Sequence, residues 1–121
     1  MDLYRDLIID LSKNPLNKRG IPHADVAASG ANISCGDRFR LSAKLAADGT
    51  LTDVAFEGEG CAISTASASL LTEEAKGKTA AEVLQWNTQT VFEWLGTDLG
   101  PSRAKCGLLP LETLQKALKP A

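Results

Sequence analysis

The sequence predicts an α+β fold, a small antiparallel sheet with helices packed on one face. Two observations predict it. Residues 38–45 alternate strictly, with Phe39, Leu41, Ala43 and Leu45 on one face and Arg38, Arg40, Ser42 and Lys44 on the other, and a second alternating stretch follows the turn signal Asp48-Gly49. Helical patterns then come after the strands instead of alternating with them, which argues against a parallel sheet. No internal repeat or low-complexity tract interrupts this order. At 121 residues the chain suits a single domain, 1–121, with its own core.

The elements follow in order. Leu3, Leu7, Ile8 and Leu11 recur at helical spacing between Asp2, a candidate N-cap, and Asn14-Pro15, where proline ends the run. Residues 15–34 are rich in Pro, Gly, Asn and Ser and read mainly as loop, with one brief strand around Ala24 to Ala28. After Asp48-Gly49, Val54 and Phe56 point one way and Asp53 and Glu57 the other, the pattern of an antiparallel partner for the 38–45 strand. Gly58-Glu59-Gly60 ends that strand.

From about Cys61 to Lys76 a run of small residues leads into Leu70 and Leu71 and stops before Gly77, predicting a helix whose first turn carries Cys61. Unpaired amides and the dipole at such a position favour a thiolate. Thr79 with Glu82 fits a capping box, and two short helices are expected, broken near Asn87 and ended at Gly96. Leu99-Gly100-Pro101 reads as loop. A last helix, Ser102 to Leu118, aligns Leu111, Leu114 and Leu118; Pro110 is tolerable there only near the first turn or at a kink, and Cys106 falls just before or within the start.

Composition narrows the function. Thirteen basic against fifteen acidic residues leave a net charge of -2, without the basic footprint of a nucleic-acid binder. The first residues lack a basic leader with an apolar core, and charges interrupt every apolar stretch short of membrane-spanning length, so a cytoplasmic protein with no membrane partner is expected. Three cysteines, an odd number, argue against a disulfide framework and toward metal binding or thiol chemistry.

Cys35, Cys61 and Cys106 all fall at predicted element boundaries, where loop ends can converge, and Asp37 stands two residues from Cys35. Together they form a candidate set of three soft thiolates and one harder oxygen, suited to zinc or an iron-sulfur cluster. Buried, inert cysteine is the competing reading, and no C-x-x-C pair marks a zinc finger. Arg38, Arg103 and Lys105 could offset the negative charge of such a site or be ordinary surface charge. His23, the only histidine, stands in a proline-containing loop and reads as a surface residue. Trp86 and Trp94 read as helix packing, and the serines at 64–69 as tight packing, since no histidine accompanies them.

The segments Asn32-Ile33-Ser34-Cys35-Gly36-Asp37, Phe56-Glu57-Gly58-Glu59-Gly60-Cys61-Ala62-Ile63-Ser64 and Arg103-Ala104-Lys105-Cys106 resemble the IscU/SufU/NifU N-terminal family of iron-sulfur cluster assembly proteins across nearly the whole chain. The resemblance implies a three-stranded antiparallel sheet, a cysteine desulfurase and apo iron-sulfur acceptor proteins as partners, and a site holding zinc or a transient [2Fe-2S] cluster on Cys35, Asp37, Cys61 and Cys106. Gly60-Cys61-Ala62-Ile63-Ser64 and Lys105 resemble the SufU branch, which implies sulfur relay with Cys35 as persulfide acceptor and a zinc-dependent sulfurtransferase activity; the alternative within the family is a non-enzymatic scaffold. The interval from Cys61 to Cys106 has instead the length seen in IscU. Lys105 replaces the histidine that precedes the last IscU cysteine, and Leu99-Gly100-Pro101-Ser102-Arg103 departs from the Leu-Pro-Pro-Val-Lys motif, so recognition by the dedicated Hsp70 chaperone is doubtful.

Two other classes compete. A structural zinc-binding interaction module without sulfur transfer would use the same ligands but unfold on losing metal. A stand-alone thiol enzyme would need a base that the sequence does not offer.

Overall fold

The computed structural model describes residues 3–34, 36–97 and 99–119. The chain opens with helix α1 (Leu3–Lys13), followed by strands β1 (Val26–Asn32), β2 (Asp37–Leu45) and β3 (Leu51–Glu59) and by helices α2 (Ala62–Ala75), α3 (Ala80–Gln85), α4 (Thr88–Leu95) and α5 (Pro101–Leu118). The strands form one antiparallel sheet in the order β1-β2-β3. Helix α5 lies across β1 and β2, α2 lies on β3, and α1, α3 and α4 pack on those two helices.

Strand β2 is buried on the predicted face: Phe39, Leu41 and Ala43 enter the core with Val54 and Phe56 of β3, while Arg38 and Arg40 stay exposed. On the outer face the register sets Arg38 opposite Glu59, Arg40 opposite Glu57 and Lys44 opposite Asp53, pairs of opposite charge that favour this register over its neighbours. Asp48-Gly49 makes the hairpin, with Gly49 at φ 87° and the Asp48 carboxylate accepting from the Thr50 amide at 3.0 Å.

The segment read mainly as loop holds a full strand. β1 runs from Val26 to Asn32 and pairs with β2 along its whole length. Its residues, Val-Ala-Ala-Ser-Gly-Ala-Asn, carry little strand propensity, so tertiary packing decides: Gly30 lets α5 approach until a Cβ there would overlap the Thr113 hydroxyl. Ahead of it, Asn17, at φ 62°, accepts from the Phe56 amide at 3.0 Å, while Arg19 donates its amide to the Phe56 carbonyl at 2.9 Å, covering the outer edge of β3. The Asn17 side chain is itself tied to Thr72, Glu73 and Lys76 of the α2 region.

Other helix boundaries come close to expectation, with differences that have physical causes. α1 ends before Pro15 as predicted; its proposed cap, Asp2, lies outside the described residues. Thr79 caps α3 by accepting from the Glu82 amide. The complete capping box is instead at Asn87 and Thr90, opening α4, which Gly96 closes in the left-handed conformation. Trp86 and Trp94 meet edge to face with ring centroids 4.8 Å apart. α5 begins earlier than Ser102 because Pro101 takes the first helical position. That start puts Cys106 in the second turn and Pro110 deep in the helix, neither just at its beginning.

Arg19 and Asp53 form a forked pair with nitrogen–oxygen distances of 3.0 and 2.6 Å. Hydrogen bonds from Arg19, and then its charge and that of Lys76, hold the Asp53 carboxyl below its usual range. A carboxyl lowered in the folded state adds stability above the ordinary carboxylate range, near pH 4, and loses it as pH falls through the lowered value. Both partners are substantially exposed, so Arg19→Ala should cost only about 0.5 kcal/mol at pH 7 and nothing measurable near pH 2, a difference that urea denaturation at the two pH values would read.

Candidate metal centre

At one end of the sheet, β1 ends, β2 begins and β3 ends, and the antiparallel register sets Asn32 opposite Asp37 and Arg38 opposite Glu59. Only Gly60 and Cys61 separate β3 from α2. Asp37, first residue of β2, falls on the same face as Phe39 and Leu41 and is fully buried. One carboxylate oxygen, Oδ1, accepts from the Cys61 amide at 2.8 Å. Oδ2 is buried with no hydrogen-bond partner among the described residues, an arrangement that costs stability unless something else takes that lone pair.

Cys61 sits one residue earlier than the expected first turn, at the N-cap of α2, with extended backbone; its sulfur accepts from the Ser64 amide at 3.5 Å. Gly60 is required here for space. A Cβ on Gly60 would overlap the Ser64 hydroxyl and lie 2.7 Å from Asp37 Oδ1 and 2.8 Å from the Phe39 ring.

Cys106 reaches the same point from α5 and is 4% exposed. The Asn32 side-chain amide stands 3.9 Å from its sulfur. Pro110 has no N–H to offer the Cys106 carbonyl four residues back, which loosens the helix at this turn. The Ser67 hydroxyl donates to the adjacent Gly107 carbonyl at 2.6 Å, pinning α5 to α2 beside the cysteine.

Asp37, Cys61 and Cys106 thus each present a ligand atom within 4.8 Å of the others. Two soft sulfurs and a bare, buried carboxylate oxygen are a donor set that fits zinc or iron. Cys35, the fourth expected ligand, lies outside the described residues. Gly36, at φ 72°, belongs to the turn between β1 and β2. Arg38, Arg103 and Lys105 are all exposed, and Arg38 projects from the outer face of the sheet, opposite to Asp37. His23, exposed at φ 58°, is not in the ligand group. The sequence reads Ser64 only as tight helix packing and gives no steric role to Gly60; a cysteine before a helix followed three residues on by serine is the signal that points to the contact.

A small α+β domain carrying two thiols and a carboxylate at one end of its sheet defines a protein with a candidate metal centre. The chain belongs to the NifU-like N terminal domain family, whose model matches residues 3–120, a family of iron-sulfur cluster assembly scaffolds. It is 37% identical to the zinc-dependent sulfurtransferase SufU of Bacillus subtilis, covering 96% of this chain and 89% of that protein. That alignment spans 135 positions, more than the 121 residues here, so the Bacillus protein has insertions that this chain lacks. The iron-sulfur cluster assembly scaffold protein IscU of Thermotoga maritima is 33% identical over 97% of this chain and 93% of its own. Among solved structures, a SUF-system scaffold protein from Fervidobacterium islandicum superposes with a TM-score of 0.79 at 34% identity, covering 94% of this chain and 95% of that one. A NifU-like N-terminal protein from Brucella abortus, at 21% identity and a TM-score of 0.77, shares the fold. No helix among the described residues is long and apolar enough to cross a membrane.

Proposed function

We propose that this chain, acting as one domain over residues 1–121, accepts sulfane sulfur from a cysteine desulfurase for iron-sulfur cluster assembly. Cys35 is the acceptor, and Cys35, Cys61, Cys106 and Asp37 are the ligands of a zinc ion. The observation that carries the reading is the buried Asp37 carboxylate, which has one oxygen unpaired among the described residues and lies with a ligand oxygen within 4.8 Å of two cysteine sulfurs. Its likeness to a zinc-dependent sulfurtransferase over 96% of the chain supports the same assignment.

When bound, zinc would keep the thiolates deprotonated and balance their charge. The rest is done by the chain. Asp37 bonds the Cys61 amide and so fixes the start of α2 against β2; Ser67 holds the Cys106 turn in place; and Cys35 supplies the nucleophile. Its thiolate attacks the outer sulfur of the desulfurase persulfide. A new bond forms between Cys35 Sγ and that sulfur, the desulfurase S–S bond breaks, and the desulfurase cysteine leaves as thiolate, with no external oxidant or reductant.

A second reading makes the same residues a scaffold on which iron and sulfide assemble as cargo for apo acceptor proteins. The single hard oxygen among sulfur ligands favours it, because carboxylate binds iron-sulfur centres less tenaciously than thiolate. Metal analysis and visible absorption of anaerobic protein, before and after adding cysteine, iron and a desulfurase, separate the two. Persistent stoichiometric zinc with faster desulfurase turnover supports the relay, and Cys35→Ser should then abolish sulfur acceptance. Growing, transferable sulfur-to-iron bands support the scaffold. Outright unfolding on chelation, without sulfur acceptance, would leave only a structural zinc module.

A further inference from the structure

We infer that Ser64 is a positioning residue of the metal centre, its amide and hydroxyl together anchoring the Cys61 sulfur. The inference rests on the reading that the site holds a metal. Ser64 is fully buried in the first turn of α2. Its amide nitrogen and its hydroxyl oxygen each stand 3.5 Å from Cys61 Sγ, and the hydroxyl also donates to the Cys61 carbonyl at 3.0 Å.

These contacts serve two states of the sulfur. As a thiol, Cys61 donates to Ser64 Oγ while the serine proton goes to the carbonyl. As a metal-bound thiolate, Cys61 has no proton to give, and the serine hydroxyl hydrogen can turn about its own bond to donate to sulfur without moving a heavy atom. The sulfur then receives two donors, both strengthened by its charge.

The hydroxyl is held where it is needed. The space above Gly60 is bounded by both Ser64 Oγ and Asp37 Oδ1, so the serine stands at the seam between two ligands. Other hydroxyls on the same helix have plainly structural partners: Ser67 donates to the Gly107 carbonyl, and Thr72 to the carbonyls of Ala68 and Ser69. Cys106 receives its amide from another element, Asn32 of β1, at 3.9 Å. Cys61 is therefore the sulfur held from within its own helix cap.

The test uses the full chain loaded with cobalt(II), whose thiolate charge-transfer band reports electron density on sulfur, and zinc competition against a chelator. Ser64→Ala should shift the band to lower energy and weaken zinc about tenfold, the effect of losing one hydrogen bond to a charged group. Ser64→Thr, which keeps the hydroxyl, should return the band toward its original position. Thr72→Ala, which removes a hydroxyl bonded to carbonyls of its own helix away from the ligands, should lower thermal stability and leave the band unmoved. A normal band in the unsubstituted chain with neither band nor affinity changed in Ser64→Ala overturns the role of Ser64 alone; no thiolate band in the unsubstituted chain overturns the metal-centre reading and this inference with it.

Discussion

Gly60→Ala is expected to lower the stability of the metal-free protein by about 3 kcal/mol, the upper range for overpacking a tight site, and to abolish tight metal binding. The added methyl would meet three groups at once: the Ser64 hydroxyl, Asp37 Oδ1 at 2.7 Å and the Phe39 ring at 2.8 Å. None is the free end of a flexible chain. Ser64 is in the first turn of α2, Asp37 is bonded to the Cys61 amide, and Phe39 is in the core. Relief must displace either the α2 cap or the start of β2, and each displacement separates Asp37 from Cys61. Gly49→Ala is the comparison: at φ 87° with no atom near the new methyl, it should cost about 1 kcal/mol of backbone strain and leave metal binding intact. Urea denaturation with zinc and with chelator measures both.

Asp37→Asn should act in opposite directions on the two forms. In the metal-free protein, asparagine keeps an oxygen for the Cys61 amide and removes a buried carboxylate whose second oxygen has no partner among the described residues, so stability should rise by about 1 kcal/mol. In the presence of zinc the ligand oxygen is lost, and affinity should fall by about a hundredfold. The stabilisation on adding zinc, large for the unsubstituted chain, should therefore shrink for the variant. Thermal unfolding with and without metal reads this directly. A variant less stable than the parent in chelator would show that Asp37 acts chiefly as a structural cap.

Both expectations concern residues whose identity was legible before the fold, though the reason for them was not. The β2 and β3 strands could be read from Phe39, Leu41, Val54 and Phe56 because half-burial imprints a period of two on the chain. α4 could be bounded by Asn87 and Gly96 because caps answer to local chemistry. β1 could be read only as a brief strand around Ala24 to Ala28: Ala27, Ala28, Ser29, Gly30 and Ala31 have little strand character of their own, and the full extent to Asn32 depends on pairing with β2 and on the close approach of α5 at Gly30. α5 begins one residue before the expected Ser102, and Pro110, expected either near the first turn or at a kink, lies inside the helix, where the Ser67–Gly107 bond ties the neighbouring turn to α2.

For the site, the sequence by itself determined the candidate donors: three cysteines in separate segments, an aspartate two residues from the first, and family motifs around each. Ligand chemistry belongs to side-chain type and survives in a linear reading. Tertiary structure alone decided that ligand atoms of Asp37, Cys61 and Cys106 come within 4.8 Å, that one carboxylate oxygen is committed to the Cys61 amide while the other has no partner among the described residues, and that Ser64 hydrogen-bonds the Cys61 sulfur. These are relations among residues as many as 69 positions apart along the chain, between Asp37 and Cys106. They depend on where the sheet end, the α2 cap and the α5 turn meet, a meeting fixed by packing of the whole core and not by any local pattern.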